Sequence, residues 1–196
     1  MVKSYKLPYF SSRGFTLIEL MITVGIFVFM TALIMAKYNN FYSGTIFKNM
    51  VYDIAITIRQ AQSYGISVKA DSNSTSFNKA YGVNFSSAFP TKFTLYPYSG
   101  DSNGLYAVDN VAEKAYTLKF GASVYRKYAG SSPSNNVEVS VLDLVFQRPN
   151  PEAVICGTIN SVMNCSYKYA KIVIKLGEIT RSIEINNAGQ VSILES

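Results

Sequence analysis

The chain has 196 residues, a formal net charge of +6 and no histidine. The missing histidine excludes Ser-His-Asp and Cys-His catalysis and any histidine-ligated zinc site. Charged residues make up 15% of the sequence, against about 25% in an ordinary globular domain, so part of the chain is expected to avoid water. Taken alone, the positive balance favours an anionic partner such as nucleic acid or an acidic membrane.

The first 14 residues form a basic leader. Its charged residues are Lys3, Lys6 and Arg13, and it contains no acid. Lysine and arginine beside a membrane segment favour the cytoplasmic side, so the leader is expected to remain in the cytoplasm. Without the leader the net charge falls to +3, which weakens the argument for an anionic partner.

A long apolar run follows the leader, over residues 15–36. Only Thr16, Glu19, Thr23, Gly25 and Thr31 interrupt it. As a helix the run is roughly 33 Å long, which matches a hydrocarbon core and predicts a transmembrane helix. The run is too long for a secretory signal peptide and lacks its small-residue cleavage site. A plain signal anchor fits the length but leaves an ionisable group at membrane depth unexplained.

The residues around that glutamate supply an explanation. Residues 13–20 read Arg-Gly-Phe-Thr-Leu-Ile-Glu-Leu, and with the apolar run they resemble the N-terminus of type IV prepilins and type II secretion pseudopilins. The resemblance implies that prepilin peptidase cleaves between Gly14 and Phe15, leaving 182 residues, and methylates the new N-terminal phenylalanine. It also implies an inner-membrane precursor with a periplasmic head, whose partners are other pilin or pseudopilin subunits in a filament.

Glu19 then has a physical role in assembly. Cleavage creates a positively charged amine on Phe15, about one helical turn from the Glu19 carboxylate. Opposite charges attract strongly in a low-dielectric setting, and either one is costly there without a partner. We expect the amine of an incoming subunit to meet Glu19 of its neighbour and to set the axial register.

The helix is predicted to continue beyond the membrane, to about residue 68. Its apolar positions become periodic, at Phe47, Met50, Val51, Ile54, Ile58 and Ala61. Steps of three and four residues indicate one buried helix face. Gly44 is a possible point of local bending. The polar stretch 71–76 predicts the loop that ends the helix.

The remainder, residues 70–196, is predicted to be one mostly antiparallel β head, which makes the fold α+β and pilin-like. Alternating and aromatic-rich segments predict the strands, namely 80–85, 92–98, 115–120, 122–128, 137–146, 171–176, 180–186 and 190–194. Gly177-Glu178 is expected to be a hairpin turn.

The closing part of the chain carries a second resemblance. A strand ending at residues 146–148, a loop, and segments 171–176, 181–185 and 189–191 are similar to minor pseudopilins of the H type and to FimT-like minor pilins. Arg148-Pro149-Asn150-Pro151 stands where that pattern usually has a glycine. The resemblance implies a minor filament component with a β-sandwich-like head.

The two cysteines, Cys156 and Cys165, both lie in the exported part. An oxidising destination predicts a disulfide between them, and two free thiols are the alternative. Further ligands for a zinc site are missing, so no metal is expected.

Two clusters in the head interleave bases with aromatic residues: Tyr125-Arg126-Lys127-Tyr128 and residues 167–169, Tyr-Lys-Tyr. Platforms for single-stranded nucleic acid have this composition, and FimT-like minor pilins are associated with DNA uptake. DNA binding is therefore the alternative function, while solvated strand faces explain the same clusters without a ligand.

No cofactor is expected and the protein is predicted not to be an enzyme, because no catalytic constellation stands out. Asp101-Ser102-Asn103-Gly104, with Asp109, weakly resembles a calcium loop. The position of the closing glutamate holds Ala112, so a turn is the preferred interpretation.

Overall fold

A computed structural model describes residues 14–67, 80–98, 114–150 and 152–195, with the backbone alone for 36–43. The leader before Gly14, the predicted loop 71–76 and the calcium-like segment 101–112 lie outside the described residues. The chain divides into two units, Met1–Thr45 and Ile46–Ser196.

One helix, α1, runs from Leu17 to Ile66. The sequence between Phe15 and Pro90 has no proline, so every backbone N–H within this helix is available to the helical ladder. The helix continues through Gly44 without a break. In the first unit, the segment Leu17–Met35 is long and apolar enough to cross a membrane by length and composition.

The second unit combines the last part of α1 with two antiparallel sheets. The strands are β1 (Ala80–Ser86), β2 (Lys92–Tyr98), β3 (Lys114–Thr117), β4 (Ser123–Ser132), β5 (Asn135–Glu138), β6 (Val141–Phe146), β7 (Ala153–Ile159), β8 (Val162–Tyr167), β9 (Tyr169–Leu176), β10 (Ile179–Asn186) and β11 (Val191–Glu195). One sheet has the order β3-β2-β1-β6-β7-β8 and the other β11-β10-β9-β4-β5. The predicted α+β layout with an antiparallel head is confirmed.

The core of this unit contains the predicted helix face. Phe47, Val51, Ile54 and Ile58 are fully buried and belong to one cluster with apolar residues of both sheets. Nearer the end of the helix, the ring of Tyr64 meets that of Tyr81 edge-on, with centroids 5.4 Å apart. The periodicity beyond residue 45 therefore reflects packing of the helix on the head.

The single strand predicted over 137–146 is wrong. Residues 135–138 form β5 at the edge of one sheet, and Val141–Phe146 forms β6 inside the other. The N–H of Val139 donates to the carbonyl of Lys127 on β4, and the N–H of Ser140 donates to the carbonyl of Thr158 on β7. Because β4 and β7 belong to different sheets, the chain passes from one sheet to the other here. The alternating part of the pattern belongs to an edge strand, and the continuous apolar part to a central strand with both faces buried.

The loop expected between residue 148 and the segment 171–176 is also wrong, because β7 and β8 form a hairpin there. Asn160 and Ser161, at its tip, both have positive φ angles, 49° and 66°. Such a pair makes a tight hairpin turn, and Asn-Ser is a weaker sequence signal for it than Asn-Gly. The strand predicted over 115–120 ends earlier, at Thr117, and Phe120 lies in the following turn. The Gly177-Glu178 hairpin between β9 and β10 is confirmed.

Candidate processing and assembly site

The helix begins with a hydrogen-bonded cap. Gly14, Phe15 and Thr16 precede it in non-helical conformation, and α1 starts at Leu17. The hydroxyl of Thr16 accepts a hydrogen bond from the backbone N–H of Glu19 at 3.3 Å. Thr16-x-x-Glu19 is the spacing of a capping box, in which the cap satisfies one of the first free N–H groups of the helix.

The cap is a feature that the sequence analysis missed. It leaves the Gly14–Phe15 bond outside the helix, in exposed, non-helical backbone that a peptidase can reach. The signal was present, because Ser or Thr three residues before an acid and directly before an apolar run predicts a helix start.

Glu19 lies in the first turn of α1 and is exposed. A carboxylate in this position is favoured by the positive end of the helix dipole. The structure therefore places a negative charge close to the point where cleavage would generate a positive amine, at Phe15. The arrangement can hold two opposite charges within one helical turn or present one charge to a neighbouring chain.

The fold itself does not demand a glycine at position 14. A Cβ built there meets no atom within 4 Å, and the φ angle is not in the left-handed region. A requirement for Gly14 would come from an enzyme that reads this position.

The other polar groups of the apolar segment are satisfied within the helix. The hydroxyl of Thr23 donates to the carbonyl of Leu20 at 2.9 Å, and that of Thr31 donates to Phe27 at 3.0 Å. Hydroxyls bonded in this way are tolerated at membrane depth. Glu19 is then the single ionisable residue between Phe15 and Ala36.

The cysteines lie on the β7–β8 hairpin, where Cys156 and Cys165 are joined by a disulfide. Cys156 is buried, and Cys165 is exposed. The bridge connects an inner strand of the sheet to its edge strand β8.

A buried carboxylate lies beside this hairpin, and sequence reasoning did not single it out. Asp143 on β6 is opposite Cys156 and is fully buried. It accepts hydrogen bonds from the Asn84 amide and the Tyr96 hydroxyl, both at 2.9 Å. The sequence signal for this buried carboxylate was a single acid within an otherwise apolar strand. Its partners come from two other strands, so the cluster has the character of a structural network.

The structure divides the aromatic-basic cluster on β4. Tyr125 and Arg126 are exposed, and the guanidinium lies 4.9 Å from the Tyr125 ring centroid. Tyr128 is half-buried and lies opposite Lys171 in the register of β4 with β9. Lys127 instead is 2% exposed and donates a hydrogen bond to Ser87 Oγ at 2.8 Å. Its burial holds the pKa of its ammonium below the usual value, partly offset by the Glu138 carboxylate.

The residues of the second cluster separate in the same way. Tyr167 is half-buried, Lys168 is exposed and Tyr169 is buried. Burial, followed by a hydrogen bond to Glu184, raises the pKa of Tyr169 far above its ordinary range. Within the described part of the chain, no group of three or more Cys, Asp and Glu side chains is arranged to hold a metal ion.

Residues 10–35 match the family model of the prokaryotic N-terminal methylation motif. The match covers Gly14 and Phe15, the cap, Glu19 and the apolar segment, and it ends before the head. It supports a type IV pilin-like precursor, and the motif implies processing by a prepilin peptidase and assembly with other pilins. Neither a curated protein nor a solved structure matches the chain.

Proposed function

We propose that the protein is a structural subunit, and a minor component, of a type II secretion pseudopilus or a type IV pilus. In this proposal residues 1–14 are a leader removed after Gly14, and Phe15 is N-methylated. Residues 15–68 are the long helix, with 15–36 in the membrane, and 70–196 are the head.

One observation carries the proposal: a capped helix start with its carboxylate in the first turn lies within the methylation motif. The cap exposes the bond to be cut, and cleavage creates the amine that Glu19 can pair with. The exposed apolar side chains of Leu17–Met35 need a low-dielectric environment, first lipid and then neighbouring helices. Removing apolar surface from water contributes roughly 25 cal/mol per Å², which favours insertion into lipid and then packing against neighbouring helices.

The periplasmic placement of the head has two independent supports. The basic leader favours the cytoplasmic side for the N-terminus. The disulfide between Cys156 and Cys165 is typical of an oxidising compartment. Together they favour a single-pass precursor whose second unit lies outside the cytoplasm.

The finer assignment to an H-type or FimT-like minor subunit rests on strands β9, β10 and β11 and the sequence around them. The hairpin β7–β8 lies in the segment where the pattern of these subunits has a loop, so this segment does not support the subtype. The subtype is therefore the part of the proposal that depends most on a functional test, namely which filament loses activity when the protein is absent.

The main experiment is expression of the full chain with and without a prepilin peptidase. We expect peptidase-dependent loss of 14 residues and co-purification with a filament. Gly14→Ala should block processing without changing the fold, because the glycine makes no close contact. Processing of the Gly14→Ala chain would contradict the proposal that the peptidase requires glycine at position 14.

DNA binding by the head is a second candidate, favoured by one surface. Arg126 and Lys175 both approach the Tyr125 ring, at 4.9 Å and 5.6 Å from its centroid. An exposed aromatic ring with two cations close to it is suited to a stacked base and its phosphate. Against it, Lys175 also pairs with Glu178 at 3.9 Å, and Lys127 is buried.

A gel shift of the full chain in detergent with single-stranded DNA at low and high salt tests this candidate. Binding that falls steeply with salt and is weakened by Arg126→Ala, but not by Lys48→Ala at an exposed position outside both clusters, would support it. Absence of a shift at low salt would remove it.

A further inference from the structure

Two exposed phenylalanines lie on adjoining turns of the second unit. Phe89 is 63% exposed in the turn between β1 and β2, and Phe120 is 64% exposed in the turn between β3 and β4. Backbone hydrogen bonds of 2.8 Å join the two segments, from Leu118 N to Thr91 O and from Val124 N to Pro90 O. We call the segments 86–91 and 118–123 the phenylalanine turns.

The backbone at Phe120 is held in an unfavourable conformation. Its φ angle is +58°, in the left-handed region that bulky side chains rarely adopt. The following Gly121 also has a positive φ, 80°. Strain of this kind persists where the surrounding structure imposes it, and it is frequent at sites of function. Here it holds a large apolar side chain in water.

The phenylalanine turns lie at the end of the second unit where the chain enters from the apolar segment. Phe120 and Lys119 line one groove of about 270 Å³ together with Ile46 and Met50, the first turn of helix in this unit. Only the ten residues 36–45 separate Met35, the end of the apolar segment, from Ile46. If a membrane holds that segment, the short connection gives the turns a high effective concentration at the membrane surface. Even a weak contact between the turns and the membrane would then be populated.

The charges around the turns are mostly positive. Lys92 and Lys119 are exposed, and each lies next to a phenylalanine turn or within it, while Asp53 is an exposed acid at the groove. Phenylalanine at the level of the headgroups, with lysine reaching the phosphates, is the composition of interfacial membrane anchors.

We propose that the phenylalanine turns insert into the interface of a bilayer with anionic headgroups, so that the head of the unassembled subunit rests on the membrane. The inference builds on the proposed function, because it needs Leu17–Met35 to cross the membrane. Incorporation into a filament would withdraw the two rings from lipid.

The absence of tryptophan in the sequence gives a direct test. Three full-length variants, Phe120→Trp, Phe27→Trp and Val162→Trp, are each reconstituted in vesicles of phosphatidylethanolamine and phosphatidylglycerol. Lipids brominated at shallow or deep acyl positions quench a nearby tryptophan. Val162, 70% exposed on β8, is the matched exposed control, and Phe27 reports on insertion of the apolar segment.

We expect shallow bromines to quench the tryptophan at position 120 at least severalfold more than that at position 162. Deep bromines should quench the tryptophan at position 27. If position 27 is quenched and position 120 is not, the inference is wrong while the membrane anchor stands. If position 27 is not quenched, the anchor itself fails, and the proposed function with it.

A second pair of variants tests the chemistry of the contact. Lys92→Glu with Lys119→Glu should reduce quenching at position 120, because it places acids opposite the phosphates. In a Phe89→Trp chain, Phe120→Asn should reduce quenching at position 89 and leave the fold intact, since asparagine accepts a positive φ. Unchanged quenching in both variants would contradict a contact made by these turns.

Discussion

At the N-terminus, three neighbouring residues perform separate physical tasks. Gly14 is sterically unconstrained, Thr16 caps the helix and Glu19 supplies a charge at its first turn. The cap and the charge belong to the same capping box, so the order of residues that starts the helix also fixes the position of the carboxylate. Helix initiation and the proposed assembly contact are therefore coupled through a few residues.

Removing the cap tests this coupling. Thr16→Ala removes the acceptor of the Glu19 N–H and should destabilise the first turn by about 1 kcal/mol. Thr16→Ser keeps the acceptor and is the control. Amide hydrogen exchange in detergent micelles should be about fivefold faster at Glu19 in the alanine variant only; equal exchange in both variants would show that the cap is not formed.

The charge is tested separately. Glu19→Ala should be cleaved normally but should fail to enter the filament, because the incoming amine loses its partner. Glu178→Ala, which removes an exposed acid in the β9–β10 turn, is the control and should assemble. Immunoblots of the membrane and filament fractions measure both steps; normal incorporation of Glu19→Ala would refute the role of the carboxylate.

The buried Lys127 makes a prediction about pH. Since burial lowers its pKa in the folded state, the unfolded state binds more protons between that lowered pKa and 10.5, and folding stability rises with pH in this window. Lys127→Met should therefore gain stability relative to the native chain at neutral pH, and the gain should shrink as pH approaches 10.5. Lys168→Met, at an exposed position, should show no such trend in urea unfolding. A gain for Lys127→Met that is independent of pH would contradict burial of the charge.

At the scale of elements, close approach of α1 to β6 is decided by one glycine. A Cβ added at Gly65 would lie 2.3 Å from the backbone oxygen of Phe146, whereas one added at Gly44 meets nothing within 4 Å. Gly65→Ala should cost about 1–3 kcal/mol through overpacking. Gly44→Ala should be neutral or gain up to about 1 kcal/mol of helix stability. Urea unfolding of the two variants compares them, and equal midpoints would contradict the packing of α1 on the head.

The β7–β8 hairpin depends on its covalent bridge. Replacing Cys156 and Cys165 together by alanine should cost roughly 2–3 kcal/mol by the loop-entropy estimate for so short a loop. A reducing agent should lower the urea midpoint of the native chain to that of the double variant. The double variant itself should not respond to the reducing agent. A response there would point to another effect of the reductant.

The same scale shows what the sequence predicts and where it fails. The continuous apolar run and the later 3–4 periodicity identified α1. Alternation identified β9 and β10, which bury mainly one face, and aromatic-rich segments between turn residues identified β1 and β2, which are buried on both faces. The hairpin β7–β8 was missed because its tip, Asn160-Ser161, lacks glycine and because β8 is an exposed edge strand without a clear alternation of apolar and polar residues. The partners of Asp143 escaped because they come from β1 and β2, far away in sequence.

At the scale of the whole molecule, the uneven distribution of charge and apolar residues follows from the two units. The segment Leu17–Met35 carries a single charged residue, Glu19, and half of the formal net charge lies in the leader. The head has its own core, formed by the helix from Phe47 onward and by the two sheets, and this core contains none of the N-terminal residues that the proposal assigns to processing and assembly. A chain organised in this way is suited to be cut, inserted and packed beside its neighbours.

The most direct measurement of this account is the intact mass and N-terminal sequence of the chain isolated from cells that contain a prepilin peptidase. We predict a 182-residue chain that begins with N-methylated Phe15. A chain that retains residues 1–14, or one cut elsewhere in the apolar run, would contradict it.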